Sequence, residues 1–189
     1  MTFGVSGLLW RENLVMYDRQ TNSWWAQANG TAIEGKLKGA VLKMYPAFSM
    51  MSWKEWLADH PNTLVLSKRT RRGLEGTSMG YTDYHRSPRI GVTGRLTFND
   101  KQLQAKTRIL GFRVADQAYA VDLAALARKG SITTQTKSGK KINVVATRDG
   151  ISGRVFEVND GDKQEQIPSS VSYWFAWKAF FPVTEIIRP

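Results

Sequence analysis

Cysteine is absent from this 189-residue chain. That removes disulfides, thiolate nucleophiles and every cysteine-based zinc or iron–sulfur site. Histidine is nearly as scarce: only His60 and His85 are available as nitrogen ligands, so the sequence implies no metal site and no cofactor. Long apolar runs are missing too. Nothing approaches the ~20 residues that a bilayer-spanning helix needs, and the start from Met1 to Leu8 has no basic leader. The expectation is a chain without membrane span or signal peptide, cytoplasmic as written. Two familiar catalytic patterns are also lacking. Gly73-Leu74-Glu75-Gly76 has no following Lys-Ser/Thr and no strand-to-helix setting, and Gly4-Val5-Ser6-Gly7-Leu8 has the wrong spacing for a serine nucleophile elbow.

What is present is a 42% hydrophobic composition, enough for a core in one domain or two packed halves. The net charge of +11 is unevenly spread. Residues 67–149 hold 17 basic against 6 acidic side chains, while the flanking segments are near balance. The densest points are Lys68, Arg69, Arg71 and Arg72, then Lys137, Lys140 and Lys141. Such clusters can draw nucleic acid. No aromatic is interleaved in either run, so a solvated basic surface is the favoured reading and nucleic acid the alternative.

Two distant stretches share one pattern. Ser52 to Leu66 and Tyr173 to Ile187 both contain W-x-x-W-x-A-x-x-P-x-T-x-[VI]-[LI]. Trp is rare and Pro positionally restricted, so the match reads as an internal duplication. In each copy the tryptophans fall at i and i+3 of a short helix stopped by proline, with a strand to follow. By symmetry Trp53, Trp56, Trp174 and Trp177 are expected as core anchors. Phe181 stands where the first copy has His60, which marks a packing position and not a catalytic base.

Alternation and turn residues predict strands at 8–10, 14–17, 23–27, 31–33 and 40–45, a β-meander leading into the first helix. A second set begins with a hairpin over 109–121. Asp122 caps a helix through Lys129 that Gly130 closes, and strands follow at 132–136, 142–147 and 154–158. The fold class expected is α+β and strand-rich: two pseudo-repeated β-meander units, each ending in a short Trp-anchored helix, proline and strand. The units are residues 1–66 and 107–189, joined by a basic, Gly-rich loop region at 67–106.

Asp18, Arg19, Thr21, Ser23, Trp25 and Gln27 form the leading ligand-binding candidate. On a strand leaving a turn, Ser23, Trp25 and Gln27 share a face, setting a hydroxyl, an indole and an amide in a row beside Asp18 and Arg19. Such a row suits a small polar, ring-bearing ligand. The competing reading is that Asp18 and Thr21 bond their own turn and that Trp25 is core. Asp83 and His85, in the long loop, are the weaker catalytic candidates together with Asp18, since an acid beside a histidine can supply proton transfer.

The run Gly4 to Leu9, Leu14 to Thr21, Ser23-x-Trp25-x-Gln27, Ala32-Ile33-x-Gly35 and Leu37-x-Gly39, with Ile109 to Phe112, Ala118 to Ala120 and Tyr173 to Trp177, resembles the bacterial family named domain of unknown function 3179. The resemblance implies two related modules in tandem and no established activity. It also implies a preceding portion, with a His-bearing segment and paired cysteines, that this sequence does not contain. An unfilled sheet edge at Thr2 to Leu9 would then pair with that portion or with a second copy, making a homodimer. Family members are often exported, so the resemblance allows an extracytoplasmic location. The expected function is a ligand-binding or interaction module, with a hydrolase using Asp18, Asp83 or His85 as the alternative.

Overall fold

Turn chemistry decides where the strands begin and end. A computed structural model describes residues 1–43, 50–65, 81–91 and 100–189. Strands β1 (Phe3–Trp10), β2 (Asn13–Asp18), β3 (Trp24–Ala26) and β4 (Thr31–Glu34) form an antiparallel sheet in chain order. This is the meander read from the alternation. The expected strand at 40–45 reduces to a bridge between Thr31 and Val41, and its end at Met44-Tyr45 lies outside the described residues. At the sheet's edge, β1 leaves Val5, Leu8 and Leu9 exposed, and its pairing with β2 shifts register between Val5 and Leu9.

Strands β5 (Arg108–Val114) and β6 (Gln117–Asp122) make the second hairpin. Asp122 Oδ1 accepts from the N–H groups of Ala124 and Ala125, and so starts helix α3 (Leu123–Lys129). Gly130, at φ +87°, ends it in the left-handed region that only glycine enters without strain. Three more strands, β7 (Ser131–Gln135), β8 (Lys141–Ala146) and β9 (Gly153–Val158), join β10 (Gln164–Ile167) in a separate sheet ordered β10-β9-β8-β7.

The second half is not a simple meander. After β10 the chain returns as β11 (Ser169–Tyr173), helix α4 (Trp174–Phe180) and β12 (Thr184–Ile187), giving a sheet ordered β11-β5-β6-β12 in which β12 runs parallel to β6. This central sheet is covered on both faces, which is why Ile109–Phe112 at the middle of β5 is an unbroken apolar, buried run. On one face Leu110, Phe112, Tyr119 and Val121 pack with α3 and with Ile142, Val144 and Val155. On the other, Ile109, Ala118 and Ala120 meet Trp174 and Trp177 of α4. The far side of α4 sends Ala179 and Phe180 against Ala26, Trp10 and Ile33 of the first sheet.

The first copy of the tryptophan pattern forms helix α1 (Trp53–Asp59), with Ser52 Oγ accepting from the Glu55 N–H. Its local turn matches the second copy closely. Trp56 Nε1 donates to Thr63 Oγ1 at 2.7 Å, as Trp177 Nε1 donates to Thr184 Oγ1 at 3.0 Å. The ring at His60 or Phe181 lies 4.2 or 4.3 Å from its tryptophan, so His60 is a packing residue on a solvent-facing turn. The surroundings differ. Trp174 and Trp177 are 1% and 7% exposed, but Trp53 and Trp56 are 50% and 37% exposed. The expectation that all four anchor a core is corrected: the buried residue of α1 is Glu55, and both indoles meet solvent. Glu55 Oε1 accepts from Asp149 N–H at 3.0 Å, and Asp59 pairs with Arg154. No strand follows α1 over Thr63–Val65, where Leu64 is 95% exposed; Leu66 lies outside the described residues. One further correction concerns the long loop, where Tyr81–Arg86 forms helix α2.

Candidate functional site

Asp18 organises the turn between β2 and β3. Its Oδ1 accepts from the N–H groups of Gln20 (3.1 Å) and Thr21 (2.5 Å), and its Oδ2 from Thr21 Oγ1 (2.6 Å), Ser23 N–H (3.2 Å) and Trp25 Nε1 (3.0 Å). Ser23 Oγ accepts from Leu37 N–H at 2.9 Å, and Gly35 packs so close that an added Cβ would lie 2.7 Å from Ser23 Cα. Asp18, Ser23 and Trp25 are thereby buried as the frame of the turn. Arg19 is exposed over the Tyr17 ring. The row expected from alternation is incomplete, because Gln27 lies beyond the end of β3 and is exposed.

Burial, the strongest influence on Asp18, would raise its pKa, but the hydrogen bonds from Thr21, Trp25 and Ser23 outweigh it and hold the carboxyl at about 2 against an ordinary 3.8. The unfolded chain therefore takes up the proton first. The stability contributed by Asp18 is complete above its ordinary pKa and is lost as pH falls towards about 2. Asp18→Asn is expected to flatten the dependence of the melting temperature on pH across that interval, read by circular dichroism; a slope unchanged from the parent would refute this.

His85 goes elsewhere. It sits on α2 with its Nδ1 2.7 Å from the hydroxyl of Tyr173, 88 residues away at the end of β11. The two line a cavity of about 610 Å³ together with Lys106, Arg108, Ser172 and Met50. Lys106 Nζ bonds the carbonyls of Tyr84 and Ser87 and lies 4.0 Å from the Tyr84 ring centroid. Arg108 donates through Nη2 to Ile151 O at 2.8 Å. Burial, with help from the Tyr84 phenol and against the pull of Arg108, raises the pKa of Tyr173, so its hydroxyl stays protonated at neutral pH. Among the described residues, two cations and no carboxylate line this cavity. Asp83 is exposed on the same helix; residues two apart on a helix do not face each other, so it does not back His85. Asp18 is enclosed in its own turn, and the proposed acid–base set of Asp18, Asp83 and His85 is not assembled.

Residues 1–164 match the family described as Protein of unknown function (DUF3179). The chain belongs to that family. No curated protein matches it, and no solved structure does. Among the described residues of this DUF3179 chain, no three of His, Asp and Glu gather to hold a metal ion, and no helix is long and apolar enough to cross a membrane.

The second basic cluster is largely matched by acids. Lys137 lies 3.2 Å from Glu185, Lys140 2.7 Å from Glu157 and Lys141 3.4 Å from Asp162. Lys68, Arg69, Arg71 and Arg72 lie outside the described residues. Lys106, Arg108 and Tyr173 carried no signal strong enough to be singled out from sequence. The one available hint was that Lys106 and Arg108 stand two residues apart where β5 begins, which places both on one side of an extended chain.

Proposed function

We propose that this DUF3179 protein is a ligand-binding module and that its principal site, the cavity between α2 and the β5–β11 edge, takes a small anion. The observation that carries this reading is the convergence of His85, Lys106, Arg108 and Tyr173 from segments far apart in sequence. A cavity lined by donors and fixed positive charge, with no acid among its described lining residues, favours a carboxylate or phosphate over a neutral or cationic ligand. Arg108 is the expected direct contact. It holds Ile151 O with one nitrogen, and the guanidinium fork has further donors.

Titration calorimetry at low salt with inorganic phosphate and with citrate tests the proposal. Arg108→Ala is expected to weaken binding roughly tenfold or more, the scale of losing a charged hydrogen bond, while the circular dichroism spectrum stays unchanged. Absence of binding by both anions, or affinity indifferent to Arg108, would sink the reading.

A second reading, an enzyme of hydrolase type, draws support from the short contact between His85 and Tyr173, a pair suited to proton transfer. It ranks second because Ser172, the hydroxyl described in the same lining, donates to the Tyr173 carbonyl and is not bonded to His85. Turnover of an ester or phosphoester, abolished in His85→Gln, would reverse the order. The nucleic-acid reading is weakened by the carboxylates beside Lys137, Lys140 and Lys141.

A further inference from the structure

The cavity between α2 and the β5–β11 edge is larger than its charged groups need. At about 610 Å³ it falls in the range of pockets that enclose whole organic ligands, whereas a cavity of about 150 Å³ already holds a benzene ring. Lys106 and Arg108 bring their charge from one short stretch where β5 begins. Much of the remaining described lining is apolar: Met50, Val171 and the ring of Tyr173.

Strand register decides which of these side chains share a face. Tyr173 lies opposite Arg108, and Val171 lies opposite Leu110. Directly opposed residues and residues two apart project from the same side of a sheet, so Arg108, Tyr173 and Val171 stand together on the cavity floor. Val171 is two residues, about 7 Å, further along β11 than Tyr173 and is partly buried against the core. Distance from Arg108 along the floor therefore runs from charge to hydrocarbon. His85 enters from α2 and bonds the Tyr173 hydroxyl, which holds the phenol in place. Met50 comes from the segment before α1 and is 46% exposed, an apolar side chain that a ligand can cover.

Resting on the anion reading above, we propose that the ligand of this cavity is an aromatic acid, its anionic group on Arg108 and its ring over Val171, in contact with Tyr173 and Met50. A phenol ring and a thioether sulfur both favour contact with an aromatic ring. A bare inorganic ion would leave the Val171 end of the floor unused.

Titration calorimetry of the full chain compares benzoate, acetate and benzyl alcohol beside inorganic phosphate. Benzoate is expected to bind roughly tenfold or more tighter than acetate, since each methylene-sized unit of apolar surface buried is worth about fourfold. Benzyl alcohol, which has the ring without the charge, is expected to bind roughly tenfold or more weakly than benzoate. Met50→Ala is expected to cut the preference for benzoate over acetate by roughly threefold or more, and Arg108→Ala to weaken both acids. Phosphate bound, with benzoate no tighter than acetate, overturns this inference and leaves the anion reading standing. Benzyl alcohol bound as tightly as benzoate overturns it too, because the charge is then not recognised. Failure of phosphate, acetate and benzoate alike to bind brings down the anion reading with it.

Discussion

Trp177→Ala is expected to destabilise the chain by about 3–5 kcal/mol, the range for deleting a buried aromatic side chain. The indole is 7% exposed. It lies on the face formed by Ile109, Ala118 and Ala120, against the bare backbone of Gly111, where an added Cβ would stand 2.5 Å from the ring. No neighbouring side chain can swing into the space without leaving its own contacts. The loss also frees Thr184 Oγ1 from the indole N–H, at the point where β12 begins its parallel pairing with β6.

The control is built into the chain. Trp56 occupies the same place in the first copy and donates to Thr63 in the same way, yet it is 37% exposed. Trp56→Ala is expected to cost clearly less than Trp177→Ala, since over a third of the indole already meets water and its loss leaves no enclosed cavity. Urea unfolding of both variants separates the cases. Equal losses would mean that the local turn, not the burial of the ring, supplies the stability.

Lys178→Ala is the other large effect expected, again about 3–5 kcal/mol, because it leaves a carboxylate without its counter-charge in a poorly hydrated place. Lys178 is 5% exposed. Its Nζ lies 3.0 Å from Asp100 and donates to Pro182 O at 2.7 Å, with the Trp174 ring beneath it at 5.2 Å. Asp100 keeps its bonds from Gln102 N–H and Trp174 Nε1 after the substitution, but these are two neutral donors for a charge that burial disfavours. Burial is the strongest influence on the Asp100 carboxyl, yet its bonds to Gln102, Lys178 and Trp174 together lower its pKa. Removing the charge on both sides, as Asp100→Asn with Lys178→Met, is expected to recover most of the loss in thermal melts. A double variant as unstable as Lys178→Ala alone would show that the lysine acts through its contact with Pro182 and not through the ion pair.

Much of the local structure was legible because it depends on local chemistry. Asp122 and Gly130 bracket α3 through a side-chain cap and a left-handed glycine, both readable from residue type. The hairpin of β5 and β6 followed from alternation and a short turn. Strands β10 and β11 were not legible. Gln164–Ile167 and Ser169–Tyr173 are polar and interrupted by Pro168, and they become strands only because β9 and β5 offer them open edges. Helix α2 was hidden for a similar reason: six residues inside a Gly-rich stretch give too short a period to recognise.

The candidate site shows the same division more sharply. Asp18, Arg19, Thr21, Ser23, Trp25 and Gln27 were grouped from sequence because they are close along the chain; Asp18, Thr21, Ser23 and Trp25 meet in one hydrogen-bonded turn, while Arg19 and Gln27 are exposed. Whether that set faces a ligand or its own turn depended on burial, and the carboxylate's bonds to the turn answer the question physically. His85 and Tyr173 could not be joined from sequence at all, being brought together by the return of β11 to the edge of β5.

By itself the sequence determined the family, the strand-rich α+β character, the absence of cysteine chemistry and the shape of the W-x-x-W turn, all of which depend on residue identity and near neighbours. Only the tertiary structure decided which copy of that turn is core. The same hydrogen-bonded geometry packs inward at α4, where Gly111 and the alanines of β6 leave room for two indoles. It faces outward at α1, where Glu55 and Asp59 hold the opposite side of the helix. Burial belongs to the pair of surfaces that meet, and one of those surfaces is always distant in the chain.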